Sequence, residues 1–230
     1  MSSYLLVPGA WVRGWVWDDV VPLLEKAGHR VTVADQLPSA GTDPASLGDL
    51  SADAAYVRRV LDDLDEPVVL VGHSYGGMVI TELADDPGVR HSVYLTAFWP
   101  QRGQSLLDIL GDRPLPGWIV PRDDGALAIS DDLDAVREAL CADLDRERAA
   151  EFLSHVVLQS AAAFGSPSTA PDRGHSTTYM ICEQESVNSI PVPVQEAMSA
   201  NADNVVRLPS AHMAQLSVPD ELADALGRII

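Results

Sequence analysis

Val68-Val69-Leu70-Val71-Gly72-His73-Ser74-Tyr75-Gly76-Gly77-Met78-Val79-Ile80 is the stretch from which the architecture of this chain can be read. Its first four residues form an apolar run of strand length, the pattern of a strand buried on both faces in a parallel sheet. From Met78 to Ala84 the chain is apolar enough for a buried helix. Between the two lies G-x-S-x-G, a strand-to-helix turn centred on Ser74. Such a turn strains the serine backbone and projects Oγ clear of the sheet, and small residues two positions to either side avoid clashes. It also aims the free N–H groups and the positive end of the helix dipole at any negative charge developing there. The same string serves elsewhere as a glycine-rich turn with a capping serine. Its place at a strand-helix junction, third in a series of strand candidates, favours the chemical reading.

Outward from that turn, five further apolar runs have strand length: Tyr4 to Val7, Val31 to Ala34, Ser92 to Ala97, Thr178 to Cys182 and Val205 to Leu208. Ala54, Val57, Leu61 and Leu64 repeat at three and four residues behind Ser51 as a candidate N-cap, predicting a helix between the second and third strands. Trp17 to Ala27 predicts another, closed by Gly28 at a position that suits a residue without Cβ. A last helix starts near Pro219, with Asp220 and Glu221 in its first turn and Leu222, Leu226 and Ile229 on one face. The alternation implies βαβ units, hence an α/β architecture. It breaks between about Pro100 and Thr177, where no strand candidate appears and helical patterns run from Asp132 to Ser154. That interval reads as a helical cap inserted after the fourth core strand, over the carboxyl ends of the sheet.

The 230 residues are 47% hydrophobic and 21% charged, a composition able to bury one sizeable core. Fifteen basic against thirty-four acidic residues give a net charge of -19, which repels phosphate backbones and anionic membrane surfaces and excludes a nucleic-acid partner. Cys141 and Cys182 are too few for a disulfide framework. Met1 to Val12 lacks the basic segment of a secretory signal, and no apolar run reaches the roughly 18 residues of a membrane span. The expectation is a cytoplasmic protein without membrane association.

The chain resembles the α/β-hydrolase superfamily, and within it the small esterase and hydroxynitrile lyase group that includes plant methyl esterases and bacterial carboxylesterases. The resemblance covers essentially all of residues 1–230. It rests on Val7-Pro8-Gly9-Ala10-Trp11 with Trp15-Val16-Trp17, the turn at Ser74, Tyr94-Leu95-Thr96-Ala97-Phe98, and Ser210-Ala211-His212-Met213. It implies a core sheet of about six mainly parallel strands with helices on both faces.

A serine hydroxyl is a weak nucleophile at neutral pH and needs a base that is itself oriented by an acceptor. His212, in the short loop after the last strand and at the sheet edge that carries Ser74, fills that place. His73 resembles the packing histidine of the family's G-H-S turn, and His29, His91, His155 and His175 sit beside strands or in the cap without metal-ligand spacing. The acid belongs after the preceding strand, where Glu183-Gln184-Glu185 stands. Relatives usually carry aspartate at the position matched by Glu185, and the Ile-Pro step that follows comes about two residues late here, at Ile190-Pro191. Glu185 is the first candidate and Glu183 the second. The alternative site after the fourth strand is occupied by Thr96. For the oxyanion hole the resemblance implies the backbone N–H groups of Ala10 and Tyr75, with Pro8 where relatives usually have histidine.

The function expected is cleavage of a carboxylic ester of small or medium apolar character through an acyl-enzyme, with no cofactor and no metal. Hydroxynitrile lyases of the group typically carry lysine after the histidine and threonine in the oxyanion loop. Met213 and Gly9 fall on the esterase side. A silent small-ligand-binding protein on the same fold is the third reading. Leu106, Leu107, Ile109, Leu110, Leu115, Trp118 and Ile119 either line an apolar pocket or join cap to core, and Trp11, Trp15 and Trp17 read as packing around the first loop.

Overall fold

A computed structural model describes residues 1–111 and 114–229. Six strands pair in parallel: β1 (Ser3–Val7), β2 (Arg30–Val33), β3 (Val68–His73), β4 (Val89–Leu95), β5 (Ser176–Cys182) and β6 (Asn204–Leu208), in the spatial order β6-β5-β4-β3-β1-β2. All six residues of β3 are buried, as are the five of β1. A strand enclosed on both faces cannot alternate polar and apolar residues, hence the continuous hydrophobic runs. Each of the six expected runs falls in or beside one of these strands.

Register brings the carboxyl ends together: Val7 pairs with Gly72, His73 with Leu95, and Leu208 with Cys182. The loops after β1, β3, β4, β5 and β6 therefore open on one edge. The helix between β2 and β3 spans Leu50–Asp62, and its N-cap is Asp49, whose side chain accepts from the Ala52 amide at 2.9 Å, not Ser51. Both are good caps, and Asp49 has the extended backbone (φ -120°) that the role requires. The Trp17–Ala27 segment divides into a 3-10 turn, Gly14–Trp17, and a helix, Val21–Lys26, after which Gly28 sits at φ 88°. The last helix is Pro219–Gly227.

The insertion after β4 carries the expected helices, Leu133–Leu140 and Arg146–His155, together with shorter ones at Leu106–Leu110 and Ala161–Gly165. It is not purely helical. Ile119–Pro121 and Ala126–Ile129 form a hairpin, Leu158–Ser160 pairs antiparallel with the second of these strands, and Ala40–Gly41 from outside the insertion completes a four-stranded sheet. These strands are three, four, three and two residues long, too short to show a period. What makes them strands is pairing between distant segments.

Candidate active site

Ser74 directly follows β3 in the left-handed region at φ 54°, a conformation that costs a non-glycine residue about 1 to 3 kcal/mol and persists only where surrounding structure dictates it. Here the neighbours do so. The Ser74 amide donates to Leu95 O at 3.2 Å, and its carbonyl accepts from Gly77 N at 3.0 Å and Phe98 N at 3.1 Å. A Cβ at Gly72 would lie 2.6 Å from Gly76 O, and one at Gly76 would lie 2.8 Å from Pro8 O. The glycines of G-x-S-x-G thus let the helix and the first loop close on the turn.

His212 is 4% exposed, in the loop after β6. Its Nδ1 lies 3.1 Å from both oxygens of Glu185, with hydrogen-bond geometry satisfied at Oε2. A carboxylate only accepts, so Nδ1 carries the proton of the neutral ring and Nε2 keeps its lone pair. Ser189 Oγ lies 3.2 Å from the same Nδ1. The Glu185 side chain is fully buried and takes a second hydrogen bond from Thr96 Oγ1 at 2.9 Å. Thr96 itself has φ 36°, so the loop after β4, which carries no acid, supplies a donor to the acid of the next loop. The other candidate, Glu183, is half-exposed and faces Arg207 at 3.4 Å. The structure therefore brings Glu185 to His212 and leaves Glu183 at the surface.

His73 packs beneath this pair, with its ring centre 4.8 Å from that of His212. Burial, reinforced by the neighbouring His212, holds its pKa well below that of a free imidazole. A neutral His73 facing a carbonyl must donate, and its Nε2 meets His212 O at 2.9 Å. On the other side, Asp143 of the cap accepts from the Ala211 amide at 2.8 Å. The histidine loop is pinned from both core and cap.

Ser74 and His212 share a narrow cavity of about 50 Å³, also lined by Ala10 and Tyr75. Among the described residues neither the Ser74 hydroxyl nor His212 Nε2 has a protein hydrogen-bond partner, and the amides of Ala10 and Tyr75 donate to no protein acceptor. The unpartnered donors of Ala10, Ser74 and Tyr75 thus belong to residues that line one mostly apolar cavity. Of the expected cap residues, Leu106, Leu110, Trp118 and Ile119 line it, whereas Leu107 is 42% exposed. Trp11 also lines it, in edge-to-face contact with Trp118 at 5.3 Å and Phe164 at 5.4 Å, so it is a wall of the cavity as well as packing. Trp15 does not line it, and its ring lies tilted against those of Phe152 at 6.0 Å and His155 at 5.2 Å. Among the described residues no lysine or arginine lines the cavity. No cluster of three or more His, Cys, Asp or Glu side chains among the described residues could hold a metal ion, and no described helix is long and apolar enough to cross a membrane.

A strained serine at a strand-helix turn, a buried His–carboxylate pair and six parallel strands in this order define a hydrolase scaffold, and the model of the alpha/beta hydrolase family matches residues 4–225. The chain belongs to the alpha/beta hydrolase family. It is 31% identical to a pyrethroid hydrolase of Sphingobium wenxiniae over 98% of this chain and 86% of that protein. It is 43% identical to a carbendazim hydrolyzing esterase of a Nocardioides species over 48% of each chain, an alignment that spans about half the length of that relative. In three dimensions it is similar to the crystal structure of a pyrethroid hydrolase from Sphingobium faniae, with a TM-score of 0.83 and 28% identity over 98% of this chain and 95% of the other.

Four residues of the site were not reached from sequence. In the sequence Thr96 stands within the Tyr94 to Phe98 match and in the place of an acid, with nothing to mark it as a donor to one. Ser189, Gln159 and Asp53 carried no motif. Asp53 nonetheless had a signal: it lies three residues after Leu50 and four before Val57, on the apolar stripe of its helix, and it is fully buried. Its Oδ2 accepts from Tyr75 Oη at 2.7 Å and its Oδ1 from the Ser39 amide at 2.8 Å. Burial raises its pKa to about 6, against the opposing pull of those hydrogen bonds.

Proposed function

We propose that this α/β-hydrolase cleaves carboxylic esters through an acyl-enzyme on Ser74. The observation that carries the reading is the buried Glu185–His212 pair, which leaves His212 Nε2 unpartnered in the cavity that Ser74 enters. Ser74 Oγ attacks the ester carbonyl carbon as its proton passes to Nε2, and Glu185 stabilises the imidazolium through Nδ1. The carbonyl oxygen becomes an oxyanion that accepts from the amides of Ala10 and Tyr75. His212 returns the proton to the leaving alkoxide, the alcohol departs, and a water molecule deprotonated by Nε2 hydrolyses the acyl-serine to the free acid.

The substrate class is a neutral, apolar ester. Aromatic and aliphatic walls support it, as do relatives named a carbendazim hydrolyzing esterase and a pyrethroid hydrolase. Met213 after the histidine supports the esterase over the lyase chemistry.

Hydrolysis of p-nitrophenyl acetate and butyrate by the purified protein, beside Ser74→Ala, tests the reading. Turnover that disappears in Ser74→Ala is the expected outcome. Turnover by Ser74→Ala within about tenfold of the parent would overturn it.

A further inference from the structure

The two amides assigned above to the oxyanion belong to separate loops, one after β1 and one after β3, yet one hydrogen-bonded chain runs between them. Tyr75 Oη donates to Asp53 Oδ2 at 2.7 Å, and the Ser39 amide donates to Asp53 Oδ1 at 2.8 Å. Ser39 Oγ accepts from Gln159 Nε2 at 2.9 Å, and Gln159 Oε1 accepts from the Trp11 amide, next to Ala10, at 3.3 Å. Tyr75, Asp53, Ser39 and Gln159 are each 0% exposed. The cap strand that holds Gln159 adds two backbone bonds, Val157 N to Trp11 O and Ser160 N to Ser39 O, both 2.8 Å.

We propose that Asp53 is a positioning residue for the oxyanion hole, fixing the Tyr75 amide directly and the Ala10–Trp11 loop through Ser39 and Gln159. The inference rests on Ser74 being the attacking serine. An oxyanion hole stabilises charge only if its donors are already aimed when the charge develops. Trp11 at φ 61° is strained and needs an external hold. Tyr75 is held at both ends, its ring stacked on Phe164 at 5.7 Å and its hydroxyl on Asp53. Asp53 forms no ion pair among the described residues. A buried carboxylate without a cation stabilises a fold less than an apolar residue of the same volume would. Packing alone does not account for it, whereas a rigid two-armed acceptor between the loops does.

The test compares p-nitrophenyl acetate with its thiono analogue, in which C=S replaces C=O. Sulfur is a longer and poorer hydrogen-bond acceptor, so the thiono transition state draws less on the two amides. In Tyr75→Phe, which removes one oxygen and keeps the ring, kcat for the oxo ester is expected to fall about threefold to tenfold with KM within about twofold. The thiono ester should lose less, so the oxo/thiono ratio of kcat/KM falls about threefold or more. Asp53→Asn should show the same signature, and Tyr75→Phe decides alone if that variant does not fold. Equal losses on both esters would overturn the positioning role while leaving the serine mechanism in place. Absence of Ser74-dependent turnover of either ester by the parent protein would overturn the ester hydrolase reading and this inference with it.

Discussion

Asp53 makes stability depend on pH in a way that its asparagine variant cannot. Its carboxyl titrates at about 6 in the folded protein against 3.8 in the reference state. The folded value is the higher, so between the two the native state holds a proton that the unfolded chain has released. The contribution of the group is fully present below 3.8 and is lost as pH rises through 6. A displacement of about two pKa units corresponds to about 3 kcal/mol over the whole window, and about 1 kcal/mol of this lies between pH 7.5 and pH 5.0. Asp53→Asn removes the titration and keeps the shape. In urea unfolding followed by tryptophan fluorescence, the stability of the parent relative to Asp53→Asn should therefore improve by about 1 kcal/mol on going from pH 7.5 to pH 5.0. Other titrating groups change both proteins alike and cancel in the difference. Identical pH slopes for the two proteins would refute the argument, because they would mean that Asp53 is either hydrated or protonated throughout.

Ser74→Ala and His212→Ala are each expected to lower kcat by about 10⁴ or more in the p-nitrophenyl ester assay, leaving what binding and the amides supply. Glu185→Gln should cost about 10²-fold to 10³-fold in kcat by disturbing the His212 tautomer, whereas Glu183→Gln, at the surface against Arg207, should stay within about twofold. The reverse order would place the acid on Glu183. Phe164→Ala removes a buried cavity wall that stacks on Tyr75. Thermal or urea unfolding should show a loss of about 3 kcal/mol, and the acyl preference should move from acetate toward longer chains.

The six core strands and the serine turn were legible in the residue string because both are local. A run such as Val68 to Val71 must be apolar to sit between two layers, and only glycine fits where Gly72 and Gly76 meet neighbouring backbone. The histidine followed from chain order, since a loop after the last strand opens on the same sheet edge as Ser74. The ranking of Glu185 before Glu183 came from the resemblance, and the local residue pattern does not separate the two. Two residues apart, they share one face of any extended strand. Glu183 N and Gln184 N continue the hydrogen bonding beside β6, to Leu208 O and Ser210 O, and the turn beyond them swings Glu185 inward to Thr96 and His212. The two longer helices of the insertion are visible by their period, while its two five-residue helices and its strands, of four residues at most, are not. Asp123-Asp124-Gly125, with Gly125 at φ 82°, was the hairpin signal to be found there.

What the amino-acid order determined alone is therefore the scaffold and the place of the serine turn, where strand, turn and helix are neighbours in the chain and sterics act over a few residues. What only the tertiary structure decided is which polar side chains meet. Ser39 meets Gln159 across 120 residues, Thr96 meets Glu185 across 89, and Asp53 meets Tyr75 across 22. A hydrogen bond needs heavy atoms within about 3 Å, and no pattern in a single chain encodes that distance until packing has closed the loops between them.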